Sequence, residues 1–352
     1  MSKGASNSQS LEPERKMDDS RLATIRSIGR HRLHEVHSAA VTARPLRLSK
    51  RMTLEDAFRV TVLECLAHVA ANVSPVLRGR NAEGLHQLRV GLRRLHVAFS
   101  AFGDEFRTPA LKDLKTRTKA FSDALAPARD LDVFIDELFA PLAVEFDHEE
   151  AFKILRRCAE EVRAQAWDAA VEHISSVEFA AFQDDVASAA EARSWLGAQS
   201  VTIDLKSRLA VRVPVKSASA RMLDEHLMRV LKRGRKAKVL DQRSTHRLRI
   251  SLKKLRYAGE FYGPLYKKKS VKRYLTRVKQ LQDMLGALND VAQVRAILGR
   301  LTAGETISPH TQADLCFAAG LVNGWHRARA DRMGRKALKH WEKLKRLDPF
   351  WA

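Results

Sequence analysis

The sequence predicts an all-α protein built from two related halves, and three observations support this fold class. Apolar residues recur at three- and four-residue spacing from Leu54 to Phe350, which is the period of an α-helix. Stretches that alternate apolar and polar residues, as half-buried strands require, are few. An ungapped repeat relates the two halves of this region at a shift of 160 residues, and such internal similarity is typical of a duplicated fold.

The composition indicates a globular chain with an anionic partner. The chain has 352 residues, of which 45% are hydrophobic and 30% charged, enough for two cores of ordinary size. Lys and Arg number 63 against 41 Asp and Glu, so the formal charge is +22. Such a charge repels itself unless a polyanion offsets it. Charge alone does not choose among DNA, RNA, an anionic membrane and polyphosphate, because the same screened attraction acts on each.

The cysteines and the apolar runs predict a reducing location without a membrane span. Cys65, Cys158 and Cys316 are widely separated, which disfavours a disulfide framework and a cysteine-based metal site. The polar N-terminal segment lacks the apolar core of a secretory signal, and no run of about 18 apolar residues is apparent. We therefore expect a cytoplasmic protein.

The distribution of helix breakers predicts the domain organisation. Residues 1–50 are poor in large apolar side chains and are predicted to form a mobile basic N-terminal arm. Residues 51–347 form the helical domain, with a first repeat over 51–196, a linker over 197–216 and a second repeat over 217–347. The linker contains β-branched residues, but no partner strand is evident, so a connecting segment is favoured over a sheet. Each half has room for about four helices of bundle length.

The repeat is clearest in two helical segments. HQLRVGLRRLHVAFSAF begins at His86, and HRLRISLKKLRYAGEFY begins at His246. The shift that aligns these histidines also aligns Lys119 with Lys279 and Asp130 with Asp290. One register held over this length predicts two homologous halves related by a pseudo-twofold axis.

On a helix, each segment separates into a basic stripe and an apolar stripe. The first basic stripe comprises His86, Arg89, Arg93 and His96, and the second comprises His246, Arg249, Lys253 and Arg256. The opposite faces are predicted to supply core contacts, through Leu88, Leu92, Leu95, Phe99 and Phe102 in the first copy and Leu248, Leu252, Leu255 and Tyr262 in the second.

The following helix in each half continues the basic stripe. In the first half the predicted stripe is Lys112, Lys115, Lys119, Ser122 and Arg129, and in the second it is Lys272, Lys279, Gln282 and Asn289. Leu275 stands where the first copy has Lys115, so the copies are not equivalent. Nearby cations are expected to compensate for this loss, namely Lys267, Lys268, Lys269, Arg273 and Arg277.

A single Lys/Arg stripe is usually a solvated helix face, but three features favour binding here. The stripe is poor in acids, it recurs after duplication, and each copy begins with a histidine at the same helical phase; a face kept for solubility would mix both signs. A metal site is disfavoured because His86 and His246 have cationic neighbours. Phosphate fits better, since imidazole N–H groups and nearby helix starts favour anions. Asp130 and Asp290 are interpreted as structural acids that position bases.

These residues resemble the CHAD family, whose name denotes conserved histidines in an α-helical domain. The resemblance rests on the His-x-x-Arg segments at His86 and His246 and on Arg129-Asp130-Leu131-Asp132, and it covers roughly residues 50 to 347. It implies two pseudo-symmetric antiparallel four-helix bundles with a basic central face or pore that holds inorganic polyphosphate. Members are regarded as binding modules, often targeted to polyphosphate granules.

The resemblance assigns polyphosphate contacts position by position, with no catalytic residue, cofactor or metal ligand. Arg94, Lys254 and Arg129 lie at the edge of their stripes. The predicted binding residues are His86, Arg89, Arg93, Arg94, Lys115, Lys119, Arg129, His246, Arg249, Lys253, Lys254, Arg256, Arg273 and Lys279.

Two other functions are weighed against non-enzymatic polyphosphate binding. A nucleic-acid-binding protein would share the charge, but aromatic residues make up 7% of the chain and the stripes lack aromatics for base stacking, with Tyr257 as the exception. Nucleic acid is therefore expected only as a weaker competitor. A phosphohydrolase or its accessory module is disfavoured, since no metal constellation, Gly-rich phosphate loop or nucleophile with its base is recognised.

Overall fold

The computed structural model describes residues 39–102, 106, 108–196, 212–237, 241–303 and 309–352, and within these ranges the regular structure is helical. The α-helices are α1 Leu54–Ala71, α2 Val73–Gly79, α3 Ala82–Ala101, α4 Pro109–Ala124, α5 Ala126–Val133, α6 Ala140–Glu145, α7 Glu150–Ser175, α8 Val177–Ala192, α9 Val215–Lys236, α10 Gln242–Tyr262, α11 Lys268–Leu301 and α12 Pro309–Lys345. A π-helical turn, Phe134–Phe139, joins α5 to α6, and 3₁₀ turns occupy Ser194–Leu196 and Gly263–Leu265. The all-α prediction is confirmed.

The chain folds into two compact units that do not follow the order of the sequence. Unit 1 contains residues 1–122 and 171–215, and unit 2 contains residues 123–170 and 216–352. The segment from α5 to most of α7 therefore packs with the second half of the chain. Two of the three boundaries fall inside α4 and α7 and do not coincide with the predicted repeat boundaries, whereas the third, after Val215, lies within one residue of the predicted end of the linker. The two repeats remain a prediction.

The predicted N-terminal arm falls partly on described residues, and for these it is wrong. Residues 39–50 are packed within unit 1: Leu46 and Leu48 are buried. The backbone N–H of Val41 donates to Oδ1 of Asn72 at 2.9 Å, and its carbonyl accepts from Nδ2 of Asn72 at 2.8 Å. These two hydrogen bonds to a buried amide hold the segment against α1. Residues 1–38 of the arm, and residues 197–211 of the predicted linker, lie outside the described residues.

The end of the predicted linker contacts the start of the first repeat. An isolated antiparallel bridge joins Thr53 to Pro214, and the N–H of Leu54 donates to the carbonyl of Val213 at 2.9 Å. Thr53 also caps α1, because its side chain accepts from the N–H of Asp56, whose carboxylate in turn accepts from the N–H of Thr53. Among the described residues this bridge is not extended into a sheet.

The core of unit 1 is aromatic. Phe58 of α1 lies against Phe99, Phe102, Phe106 and Trp195, with ring centroids 4.7 to 6.3 Å apart. Helices α1 and α3 approach closely at Gly91, where an added Cβ would lie 2.8 Å from Cγ2 of Val69.

One stretch of the described chain, Leu54–Gly79, is long and apolar enough to cross a membrane, but 67% of its apolar window is buried in the fold. The leucines predicted to face the core, Leu88, Leu92 and Leu95, are fully buried.

Unit 2 contains an apolar cluster around the π-helical turn. Phe134 and Phe139 of the turn are fully buried with Leu155 of α7 and Val322 of α12. The wide turn presents the carbonyl of Leu138, which accepts a hydrogen bond from Nε2–H of His326 at 3.0 Å. Burial lowers the pKa of His326, and the hydrogen bond to the carbonyl of Leu138 partly opposes this shift.

The long helices α11 and α12 of unit 2 run antiparallel. Near one end, Nε2 of Gln312 donates to the carbonyl of Thr302 at 2.8 Å. At the other end, Gly234 of α9 lies against Trp341, whose ring an added Cβ would overlap at 2.0 Å. Trp351 donates from Nε1 to Oδ1 of Asp224 at 2.7 Å, which fixes the C-terminus to α9.

Candidate anion-binding site

The two histidine-headed helices begin alike. Asn81 is the N-cap of α3 and accepts from the N–H of Gly84, and Asp241 is the N-cap of α10 and accepts from the N–H of Ser244, at 2.9 Å in both. These caps are themselves related by the 160-residue shift. Each histidine is therefore the fifth residue of its helix, within one turn of the start. One N–H at each helix start is already satisfied by its cap, so the anion-attracting contribution there is smaller than that of an uncapped end.

The basic stripe of α3 lies at the surface of unit 1, opposite the buried leucines. His86, Arg89, Arg93 and Arg94 are all partly exposed. The Nε atoms of Arg89 and Arg93 are buried, so the stems of these arginines are covered while part of each side chain reaches solvent. Arg93 has no ion pair with any described carboxylate.

His68 of α1 lies beneath this stripe and differs from the predicted histidines. It is buried, and its Nε2 lies 3.0 Å from the carbonyl of Val41 and 3.1 Å from Oε1 of Gln87. Its pKa is lowered by burial and then by the charge of Arg94, with a smaller effect of His86. Arg94 therefore lies on the inner edge of the stripe, toward α1. His68 supports the helix that carries the stripe and is too buried to contact a ligand.

Helix α4 supplies the next cations of unit 1. Lys115 is partly exposed and Lys119 is exposed, and the carbonyl of Lys115 lies 3.3 Å from Nδ1 of His96. Arg117, which was not predicted to bind, is bound to Asp185 at 2.6 Å and lies over the ring of Phe182. The basic side chains of α4 are thus divided between a paired arginine and the predicted lysines.

The prediction that Arg129 continues the stripe of α4 is wrong. The helix is interrupted at Leu125, and Pro127, which has no N–H to donate, occupies the first turn of α5. Arg129 therefore lies on α5, in unit 2, and its Nη2 is 3.0 Å from Oε1 of Glu137. In the second half, Ala287 stands at the position of Pro127 and α11 continues without a break.

Two basic side chains of the α10 stripe have uncharged hydrogen-bond partners on α11. Oδ1 of Asn289 accepts from Nδ1–H of His246 at 3.0 Å, and Oε1 of Gln282 accepts from Nε–H of Arg256 at 3.2 Å. Between them, Nε of Arg249 would lie at an ordinary contact distance of 3.9 Å from a Cβ added at Gly286. The amides of Asn289 and Gln282 orient their partners without adding a negative charge, which suits a surface that receives an anion.

The stripe of α10 is not uniformly available to a ligand. Arg256 also binds Glu260 at 2.9 Å and lies over the ring of Tyr257 at 4.7 Å, so three neighbours already hold it. His246 and Lys279 are exposed, and Arg249, Lys253 and Lys254 are partly exposed. Arg273 is exposed but lies about 120° around α11 from Lys279, because six residues advance a helix by about 600°. Arg273 therefore lies outside the stripe of α11 that faces α10.

Asp132 and Asp290, two acids near the basic stripes, are both affected by burial. Asp132 is 1% exposed and accepts from Nε1–H of Trp167 at 3.0 Å; burial raises its pKa. Burial also raises the pKa of Asp290, and the charges of Arg249 and Arg329 oppose this rise. Asp290 thus lies between a predicted binding residue and Arg329 of α12, which the repeat did not reveal because α12 lies outside the aligned motifs.

No metal constellation accompanies these bases in the part of the chain that the structure describes: no three His, Cys, Asp or Glu side chains are arranged to hold an ion. The three cysteines are also apart from the site, with Cys65 buried, Cys158 partly buried and Cys316 exposed.

Comparison with known proteins is consistent with the geometry. The family model described as the CHAD domain matches residues 61–299. The crystal structure of the CHAD domain from the plant Ricinus communis is similar, with a TM-score of 0.72 at 24% identity, over 88% of this chain and 98% of that chain. PptA from Streptomyces chartreusis has a TM-score of 0.56 at 14% identity, over 83% of this chain and all of that chain. No curated protein sequence matches the chain.

Proposed function

The chain belongs to the CHAD family, and on this premise we propose that it binds inorganic polyphosphate through the basic stripes of α3 and α10, with contributions from α4 and α11. Binding involves no turnover of the ligand. The proposal places the protein in the cytoplasm. Polyphosphate, or granules that contain it, would recruit the protein there.

The observation that carries the proposal is the equivalence of α3 and α10. Both helices begin at an Asx cap, place a histidine at the fifth position and an arginine at the eighth, and bury the opposite leucines. A linear chain of phosphates is a ligand that two such surfaces can share, because its charge repeats along its length. Arg offers two parallel hydrogen bonds to a phosphate and Lys a point charge.

The surroundings of the stripe favour phosphate without bases. Tyr257, the aromatic residue nearest the stripe of α10, is 4% exposed and lies beside Arg256, so it offers no face for a stacked base. Proteins that bind single strands use such exposed aromatic faces for part of their affinity. Nucleic acid is therefore proposed only as a weaker, electrostatic competitor.

The proposal includes a finer architecture of two pseudo-symmetric antiparallel four-helix bundles that share a basic central face or pore. In its support, the 160-residue shift carries the start of α3 onto the start of α10 and the end of α3 to within one residue of the end of α10. It also carries the starts of α1, α4 and α7 to within one residue of those of α9, α11 and α12.

Calorimetric titration of the whole chain with long-chain polyphosphate tests the proposal. The double variant His246→Ala/Arg249→Glu should weaken binding by more than tenfold, since it removes one contact and introduces a like charge in the path of the anion. The control is Arg243→Ala/Arg247→Glu, two exposed residues that lie about 120° and 160° around α10 from Arg249. Equal effects of the two variants would contradict the proposed stripe. Phosphate release in the presence of Mg²⁺ or Mn²⁺ would contradict binding without turnover.

A further inference from the structure

Helix α12 carries a basic stripe of its own, C-terminal to the residues that the family model matches. Arg329, Arg332, Lys336, His340 and Lys343 are spaced by three or four residues, so their side chains share one face of the helix. The stripe is about 21 Å long, since each of its 14 helical steps rises about 1.5 Å. The matched residues end at 299, whereas this helix begins at Pro309.

The neighbouring helix widens this stripe. The antiparallel packing of α11 and α12 brings Arg277 close to His340, and the charges of Arg277 and Lys343 both help to lower the pKa of His340, after burial. Arg273 lies one helical turn before Arg277 on the same side of α11. We call the combined surface the C-terminal basic face, which comprises Arg273, Arg277, Arg332, Lys336, His340 and Lys343.

The two acids in the stretch of α12 that carries the stripe, Asp331 and Glu342, lie on a different side of the helix. Asp331 is 3.9 Å from Nε of Arg327, and Glu342 is 2.8 Å from Nζ of Lys345. Within the described ranges, no carboxylate forms an ion pair with Lys336, Lys343 or Arg273, and all three are exposed. A face of cations without interspersed acids is costly in self-repulsion unless an anion occupies it.

Arg329 lies at the start of the α12 stripe. The antiparallel contact of Gln312 with the carbonyl of Thr302 places Asp290 of α11 opposite residue 324 of α12, about one and a half turns before Arg329. The charges of Arg249 and Arg329 both oppose the rise that burial causes in the pKa of Asp290. Cations of α10 and α12 therefore both lie near this residue of α11.

We propose that the C-terminal basic face is a second binding segment for the same polyphosphate chain, which passes from Arg249 over Arg329 onto α12. This inference rests on the proposed function. A short oligophosphate fills the stripe of α10 alone, whereas a long chain occupies both segments and gains affinity from each, because its second contact is intramolecular.

The experiment compares two charge-matched double variants of the whole chain with two ligands, tripolyphosphate and long-chain polyphosphate. Lys336→Gln/Lys343→Gln removes two cations of the C-terminal basic face. Arg327→Gln/Lys345→Gln removes two cations from the other side of α12, where each is already paired with an acid. Both variants lower the net charge equally, so a difference between them reports the location of the ligand.

We expect Lys336→Gln/Lys343→Gln to weaken long-chain binding roughly tenfold, since each lost phosphate contact removes about half a decade of affinity at moderate salt. The slope of log affinity against log salt should fall by about 1.4, and tripolyphosphate binding should match that of the control. Equal long-chain affinities of the two variants would overturn the second segment while leaving the stripe of α10 intact. If the unaltered chain binds neither ligand, the proposed function and this inference both fail.

Discussion

At the scale of single residues, two basic side chains of the α10 stripe have neutral hydrogen-bond partners. Asn289 and Gln282 accept hydrogen bonds from His246 and Arg256, although Arg256 is also paired with Glu260. An amide oxygen orients such a base without adding a negative charge that would repel phosphate. Arg129, by contrast, is bound to the carboxylate of Glu137, which we expect to reduce its contribution to binding.

Replacing Arg249 with Lys should separate geometry from charge. Lysine keeps the cation but loses the planar pair of N–H donors that match a phosphate. We expect Arg249→Lys to weaken polyphosphate binding by about 1 to 2 kcal/mol, with an unchanged salt slope. Arg247→Lys, two residues away on the exposed side of α10, serves as the control. An unaltered affinity of Arg249→Lys, measured by calorimetry, would mean that Arg249 acts only as a point charge.

The buried histidines predict acid sensitivity of the fold. Burial is the main cause that lowers the pKa of His326 and of His68 below the usual histidine value of about 6.5. Below pH 6.5 the unfolded chain takes up protons that the folded chain does not, so stability should fall as the pH falls. His326→Gln keeps an N–H for the carbonyl of Leu138 and removes one titrating ring. Urea unfolding at pH 7.5 and at pH 5.5 should therefore show a smaller loss for His326→Gln, and an unchanged loss would contradict this role.

At the scale of helices, the sequence predicts faces well and interruptions poorly. The apolar positions of α3 and α10 were identified from spacing alone, because one buried side and one solvated side leave a period of 3.6 residues. The π-helical turn at Phe134–Phe139 has no such signature; it depends on His326, which lies far away in the sequence and meets the carbonyl of Leu138 only after folding. Pro127 indicates the helix break at Leu125, but the predicted basic stripe of α4 continued across this break to Arg129.

The close approach of α1 and α3 gives a prediction at this scale. Gly91→Ala would place a Cβ 2.8 Å from Val69 Cγ2 and 3.1 Å from the Val69 backbone N. To relieve these contacts the backbone of α1 would have to move, which would cost stability. We expect a loss of about 1 to 3 kcal/mol of unfolding free energy from overpacking. Gly320→Ala in α12 has nothing within 4 Å, so it should stabilise the fold by about 1 kcal/mol through helix propensity. Denaturant titration of both variants measures the difference, and a stabilised Gly91→Ala would show that α1 and α3 can separate.

At the scale of the whole molecule, the sequence predicts the helical class and the family but not the grouping of helices. The segment 123–170 packs with the second half of the chain, in unit 2, and periodicity contains no information on which half a helix joins. Residues 39–50 were assigned to the arm because large apolar residues are sparse there; two leucines and the amide of Asn72 suffice to hold them. The basic face of α12 lies outside the repeated histidine-headed segments, so the repeat does not predict it.

The central claim is that the charge of +22 serves a chain of phosphates more than a nucleic acid. Competition between long-chain polyphosphate and duplex or single-stranded DNA for the whole chain, measured as the salt concentration rises, tests it most directly. Both ligands should lose affinity with salt, since both release counterions. We predict that polyphosphate displaces DNA at moderate salt and is still bound where DNA is lost. DNA that resists displacement, or that outlasts polyphosphate as salt increases, would contradict the account.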